Sequence, residues 1–178
     1  FESLVGADAL GAYVFYMAIV AASVSFIDSG VFAFIYPAMV AASGRNDKEE
    51  FSLLLKKMFF QSFSLAIIFA IITILLVDVL LGLISKPIYF DMKYLLYPML
   101  VMMVIQVLSY VPNYALYTQN SDRAIIASNI LSSVVFIASV SALAVWNELF
   151  AIPVALIFVY IFLLVFKYYS YRRMCRVQ

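Results

Sequence analysis

Gly11 to Ala42 reads GAYVFYMAIVAASVSFIDSGVFAFIYPAMVAA, apolar throughout except for one acid, Asp28, set among Ser25, Ser29 and Gly30. A helix needs about 20 apolar residues to cross hydrocarbon, and this run is longer. The piece after Gly30, Val31 to Ala42, is too short to span alone. One long, tilted or kinked helix is therefore expected. Asp28 sits near its middle, where a carboxylate costs about 2.5–3.5 kcal/mol on insertion scales. Such a residue is expected to face protein or water rather than lipid. Ala18, Ala22, Ser25 and Ser29 follow the spacing of one helical stripe, with Asp28 beside the two serines. A stripe of small residues either admits a close neighbouring helix or lines a cavity.

The rest of the chain has the same character. Of 178 residues, 67% are apolar and 12% charged, against about 25% charge in a water-soluble domain. The fold class is an all-α polytopic membrane protein. The single cysteine excludes an intramolecular disulfide framework. With no histidine, the commonest general base and metal ligand are both missing. No cofactor is implied. Basic residues avoid the span interiors, so nucleic acid is not an expected partner.

Five spans are read, at about residues 11–42, 58–84, 94–117, 124–145 and 149–166. A lead-in, FESLVGADAL, is expected to be an interfacial loop, and residues 43–50 form the most polar stretch. Asp78 reads as an interfacial carboxylate near the exit of the second span. Ile88 to Lys93 reads as a short loop. Pro37, Pro112 and Pro153 fall within apolar runs, where proline removes a backbone bond and usually kinks a membrane helix. The third span carries Gln106, Asn113 and a tyrosine stripe at Tyr110, Tyr114 and Tyr117. That stripe suits either an aromatic belt at the headgroup level or contact with saccharide faces. Serines 121, 128, 132 and 139 lie on one face of the fourth span, flanked by Asn129 and Ser133. Trp146-Asn147-Glu148 reads as an interfacial loop, and residues 167–178 as a basic, aromatic tail.

Loop charges orient the spans. Nine basic residues, Arg45, Lys48, Lys56, Lys57, Arg123, Lys167, Arg172, Arg173 and Arg176, fall on one side, against Lys86 and Lys93 on the other. The positive-inside rule puts the first set, and with it the C-terminus, in the cytoplasm. Phe1 would then lie outside without a signal sequence, so preceding spans are expected to be missing. No nucleotide loop, HExxH, CxxC or GxSxG motif is present, and the enzyme reading has no constellation behind it.

Several segments together resemble a family. Leu4-Val5-Gly6-Ala7 through Gly11-Ala12-Tyr13 resembles the helix opening of bacterial polysaccharide and O-antigen flippases, members of the multidrug/oligosaccharidyl-lipid/polysaccharide exporter superfamily. The likeness continues in Ile35-Tyr36-Pro37 with the polar loop after it, and in Tyr114-Ala115-Leu116-Tyr117 ahead of Asp122-Arg123. The resemblance implies two six-helix bundles with both termini cytoplasmic. The five spans resemble most of one bundle, preferably the C-terminal one; the N-terminal bundle without its first helix would have the same orientation. It also implies transport of a lipid-linked oligosaccharide across the bacterial inner membrane by alternating access. The partners implied are that substrate, membrane lipids and the missing N-terminal bundle. The cavity residues expected are Asp28, Gln106, Asn113, Tyr114, Tyr117, Asn129 and Arg123, with Arg123 the one candidate here for the pyrophosphate. A polymerase of surface-polysaccharide synthesis, or a multidrug exporter of the same superfamily, are the alternative readings. Orientation can be tested on Cys175. In a protein with no other thiol, an impermeant maleimide is expected to label Cys175 only once the inner membrane is opened. Labelling in intact spheroplasts would contradict the five-span topology.

Overall fold

The computed structural model describes residues 7–84, 86–145 and 148–177. Leu4 to Gly6, the first residues of the lead-in and the Trp146-Asn147 pair lie outside the described residues. Every element among the described residues is helical. Helix α1 (Ala7–Ile27) passes through a π-helical turn (Asp28–Phe32) into α2 (Ala33–Gly44). Then follow α3 (Lys48–Ile84), a short α4 (Pro87–Asp91), a 3-10 turn (Lys93–Leu95), α5 (Leu96–Thr118), α6 (Asp122–Ala144) and α7 (Glu148–Val177). Five of these stretches are long and apolar enough to cross a membrane: 9–44, 48–84, 93–118, 122–144 and 149–174. The chain is thus built as a multi-pass membrane protein.

Several boundaries differ from the sequence reading, each for a local reason. The polar loop shrinks to Arg45–Asp47, because Asp47 caps α3: its Oδ1 accepts the Glu50 N–H at 2.9 Å. That cap, with Lys48, Glu49 and Glu50 in the first turn, starts the helix well before the apolar run. The residues read as a loop after Lys86 are mostly helical, since Pro87 at the first position pre-sets the turn of α4. The residues read as a tail continue α7 to Val177. Lys167 is only 5% exposed, so the helix there still packs against the bundle.

Helix α5 is the centre of the fold. It is buried along most of its length and packs against α1, α3 and α7. Met99, Met103, Val107 and Ala115 supply much of that contact surface. Helix α6 lies on the far side of α7 and is buried only at Ile125 and Ser128. Serine and threonine hydroxyls satisfy themselves on their own helices. Ser62 donates to the Phe59 carbonyl at 3.1 Å and Ser128 to the Ile125 carbonyl at 2.7 Å, for example. The small-residue stripe of α1 does not pack inside the chain. Ala18, Ala22, Ser25 and Ser29 are exposed, because Tyr16, Val20, Ile27 and Val31 turn the opposite face onto the core.

A thickness can be read from α3. Between Lys57 and Asp78 it carries 20 uncharged residues, Met58 to Val77, a rise of about 30 Å, the depth of bilayer hydrocarbon. Asp78 marks one boundary with Lys93, whose Nζ donates to both carboxylate oxygens at 2.6 and 2.7 Å. The partner therefore holds an acid that sequence alone placed simply at an interface. The Tyr16 hydroxyl donates to the Tyr89 carbonyl, tying α4 to α1 near that same end. Helices α2 and α3 run antiparallel across the Arg45–Asp47 turn, so Lys57 and Asp78 stand level with about Ile35 and Val14. Asp28 lies inside that apolar band.

Both turns at the basic end use an asparagine in the left-handed region, Asn46 at φ 55° and Asn120 at φ 52°. In each, the following N–H closes the helix end, Asp47 onto Ala42 at 3.0 Å and Ser121 onto Leu116 at 3.1 Å. Asn120→Gly is expected to leave the thermal midpoint in detergent unchanged or slightly raised. Asn120→Val is expected to lower stability by about 1–2 kcal/mol, the cost of a left-handed residue with a full side chain.

Candidate functional site

The site begins with a fault in a helix. At Asp28–Phe32 the backbone widens to π geometry, with the Ala33 N–H donating to the Asp28 carbonyl. Such single wide turns recur at functional positions because they expose polar backbone and redirect side chains. Here the wide turn falls on Asp28, Ser29 and Gly30, whose short or absent side chains give little steric resistance to it. Pro37 follows one turn later and has no N–H to give to the Ala33 carbonyl.

Helix α5 packs on both α1 and α7, whereas α1 and α7 do not pack closely on each other. A cleft of about 510 Å³ lies between them with α5 as its floor. The polar part of that floor is Gln106, Tyr110, Asn113, Tyr114 and Tyr117, which recur at helical spacing on one face of α5. From α1 come Ser25 and Asp28, and from α7 comes Tyr160.

Two hydrogen bonds organise these groups. The Tyr114 hydroxyl donates to Asp28 Oδ1 at 2.9 Å, and Gln106 Nε2 donates to the Tyr110 hydroxyl at 3.0 Å. The first joins the wide turn of one helix to the last turns of another. Phe32, fully buried, stacks on Tyr114 with centroids 5.0 Å apart and planes 10° apart, and meets Tyr110 edge-on at 5.9 Å. Tyr36, one turn further on, also meets Tyr114, tilted at 59° with centroids 5.2 Å apart. An aromatic clamp thus fixes the ring whose hydroxyl holds the acid. Asp28 is half-buried and is the one charged residue among those lining the cleft.

The structure brings Asp28, Gln106, Asn113, Tyr114 and Tyr117 to this cleft. It does not bring Arg123 and Asn129 there. Both are exposed on α6, which packs mainly on α7 and contributes no residue to the lining of the cleft. Sequence reasoning missed Tyr160 and the roles of Phe32 and Tyr36. Tyr160 is a lone hydroxyl within LIFVYIFLLVF, far from either end of its span, and that isolation was a readable signal.

Chemically the cleft offers one carboxylate, two amides, a serine and four tyrosines, with no lysine or arginine among its lining residues. It suits a neutral, hydroxyl-rich solute with flat faces, or a cation or proton at Asp28. It does not suit a bare phosphate. No family model, curated protein or solved structure matches the chain.

The Tyr114–Asp28 bond can be tested by stability. Asp28→Asn keeps an acceptor for the tyrosine, so the midpoint of unfolding in detergent is expected to stay near that of the parent. Tyr114→Phe removes the donor and is expected to cost on the order of 1–3 kcal/mol. Equal losses in both variants would show that the bond depends on the charge of its acceptor.

Proposed function

We propose that this chain is part of a transporter that moves a lipid-linked oligosaccharide across the bacterial cytoplasmic membrane by alternating access. The observation that carries the reading is the polar, tyrosine-rich cleft held inside the apolar band at the π turn. Ionisable groups at that depth are costly and mark pathways for ions or polar solutes. Its volume of about 510 Å³ falls within the roughly 300–1,000 Å³ of ordinary ligand sites. Aromatic faces beside amide and carboxylate groups are the chemistry that binds sugar rings.

In this reading the saccharide passes through the cleft, and the open side between α1 and α7 faces a second bundle of the same protein. The exposed small residues Ala18, Ala22 and Ser29 then lie where a second bundle needs close approach. The basic end faces the cytoplasm, as the charge bias implies, and the C-terminus lies there too. The pyrophosphate of the carrier stays at that surface, since the cleft has no cation to receive it. Arg123 lies outside the cleft and serves as an interfacial charge.

The reading is tested in cells lacking the gene and complemented with variants, with surface polysaccharide normalised to protein abundance. Asp28→Asn is expected to lower transport by about tenfold or more at normal abundance. Arg123→Lys is expected to remain within about twofold of the parent. Full transport by Asp28→Asn at normal abundance would remove the cleft from the path, and a strong defect in Arg123→Lys would place the phosphate on α6.

A further inference from the structure

A second groove lies on the opposite face of α5, between α3 and α7, with a volume of about 230 Å³. Its floor is Leu108, Val111 and Pro112, and its walls include Leu55 and Phe59 of α3 and Leu164 of α7. This is below the usual size of a ligand pocket. It is a slot for a stretch of hydrocarbon chain rather than for a ring-bearing head.

The slot ends in charge. Lys56 lines it on the α3 side, at the boundary where the 20 uncharged residues of α3 begin. Tyr168 lines it on the α7 side, and the Arg172 guanidinium stands 5.6 Å from the centre of that ring. A cation–π contact at this distance uses the charge of the guanidinium and leaves its N–H donors for another partner. One cation, Lys56, thus lines the headgroup-level end of an apolar slot, and a second, Arg172, stands against the Tyr168 ring of its wall. The wall beside it stays open towards the hydrocarbon band, with Phe59 40% and Phe60 64% exposed.

We propose that this groove binds one anionic glycerophospholipid of the surrounding bilayer, with an acyl chain along Leu108 and Leu164 and the phosphate between Lys56 and Arg172. Charge complementarity selects the occupant. A basic site between membrane helices at the headgroup level fits an anionic lipid head, and apolar walls fit its chain. A bound lipid would add to the Phe51–Tyr171 ring contact that joins α3 and α7, each of which packs mainly on α5. The proposal is independent of the transport reading, since it concerns the other face of α5.

Native mass spectrometry of the purified full chain tests it, with phosphatidylglycerol and phosphatidylcholine of identical chains titrated separately. The parent is expected to retain one phosphatidylglycerol, at concentrations at least about tenfold below those needed for phosphatidylcholine. Lys56→Gln with Arg172→Gln is expected to weaken phosphatidylglycerol retention by roughly thirtyfold, from two lost surface cations. Leu108→Trp fills the slot and is expected to abolish retention with both cations in place. Lys86→Gln, at the opposite end, is expected to change nothing, and thermal unfolding checks that each variant is folded. Equal affinity for the two lipids, or retention undiminished in the folded double variant, would overturn the proposal. So would a co-purifying adduct with the mass of a polyprenyl phosphate displaced by filling the slot, which would assign the groove to a lipid carrier instead.

Discussion

A carboxylate placed within hydrocarbon must be hydrated or hydrogen-bonded, and the arrangement around Asp28 answers to that constraint. One oxygen accepts from Tyr114, and the side chain lines a cleft of water-accessible size. Meeting the first demand requires a tyrosine at the right height on a neighbouring helix. It also requires a ring that cannot swing away, which Phe32 and Tyr36 supply by stacking and tilting against it. Meeting the second requires that α1 and α7 stand apart, and α5 packs on both of them. The wide turn at Asp28–Phe32 links the two, because it lets the acid and Phe32 approach the same tyrosine ring.

Around that centre the bundle is asymmetric. Helix α5 is a buried axis with a polar face and an apolar face, and each face floors one groove. The polar face meets the separation between α1 and α7, and the apolar face meets the separation between α3 and α7. Helix α6 adds little to the core and presents Ile126, Ile130, Val134 and Ile137 outward. Stability therefore rests on the packing of α1, α3 and α7 against α5, while the polar groups are held by local back-bonds and by the few cross-helix contacts described.

Much of the fold was legible because hydrocarbon demands long uncharged helices, and the spans followed from charge-free length. The left-handed asparagines and the Asp47 cap came only from the structure, although the polar runs that hold them were read as the connections between spans. Asp28 and the Gln106–Tyr117 face were legible for the same reason, since polar groups in an apolar run are few and need an explanation. What the pattern did not contain is which helix lies beside which. Asn129 and Arg123 have the right chemistry for a cavity, yet α6 packs mainly on α7. The small residues of α1 follow a clean stripe, yet the bulky face turns inward. Lys167 reads as part of a basic, aromatic tail because its neighbours are basic, yet it lies on α7 and is buried.

The central claim is that a water-accessible polar cleft runs between α1 and α7 at the level of Asp28. Substituted-cysteine labelling measures this directly, in a Cys175→Ser background with a small hydrophilic thiol reagent applied to the folded protein in membranes. Ser25→Cys and Asn113→Cys are expected to react, whereas Ile130→Cys, exposed on the outer face of α6, is expected to stay unlabelled in lipid. Should Asn113→Cys prove as unreactive as Ile130→Cys in a folded protein, the cleft would be closed to water and the account of Asp28 would fail.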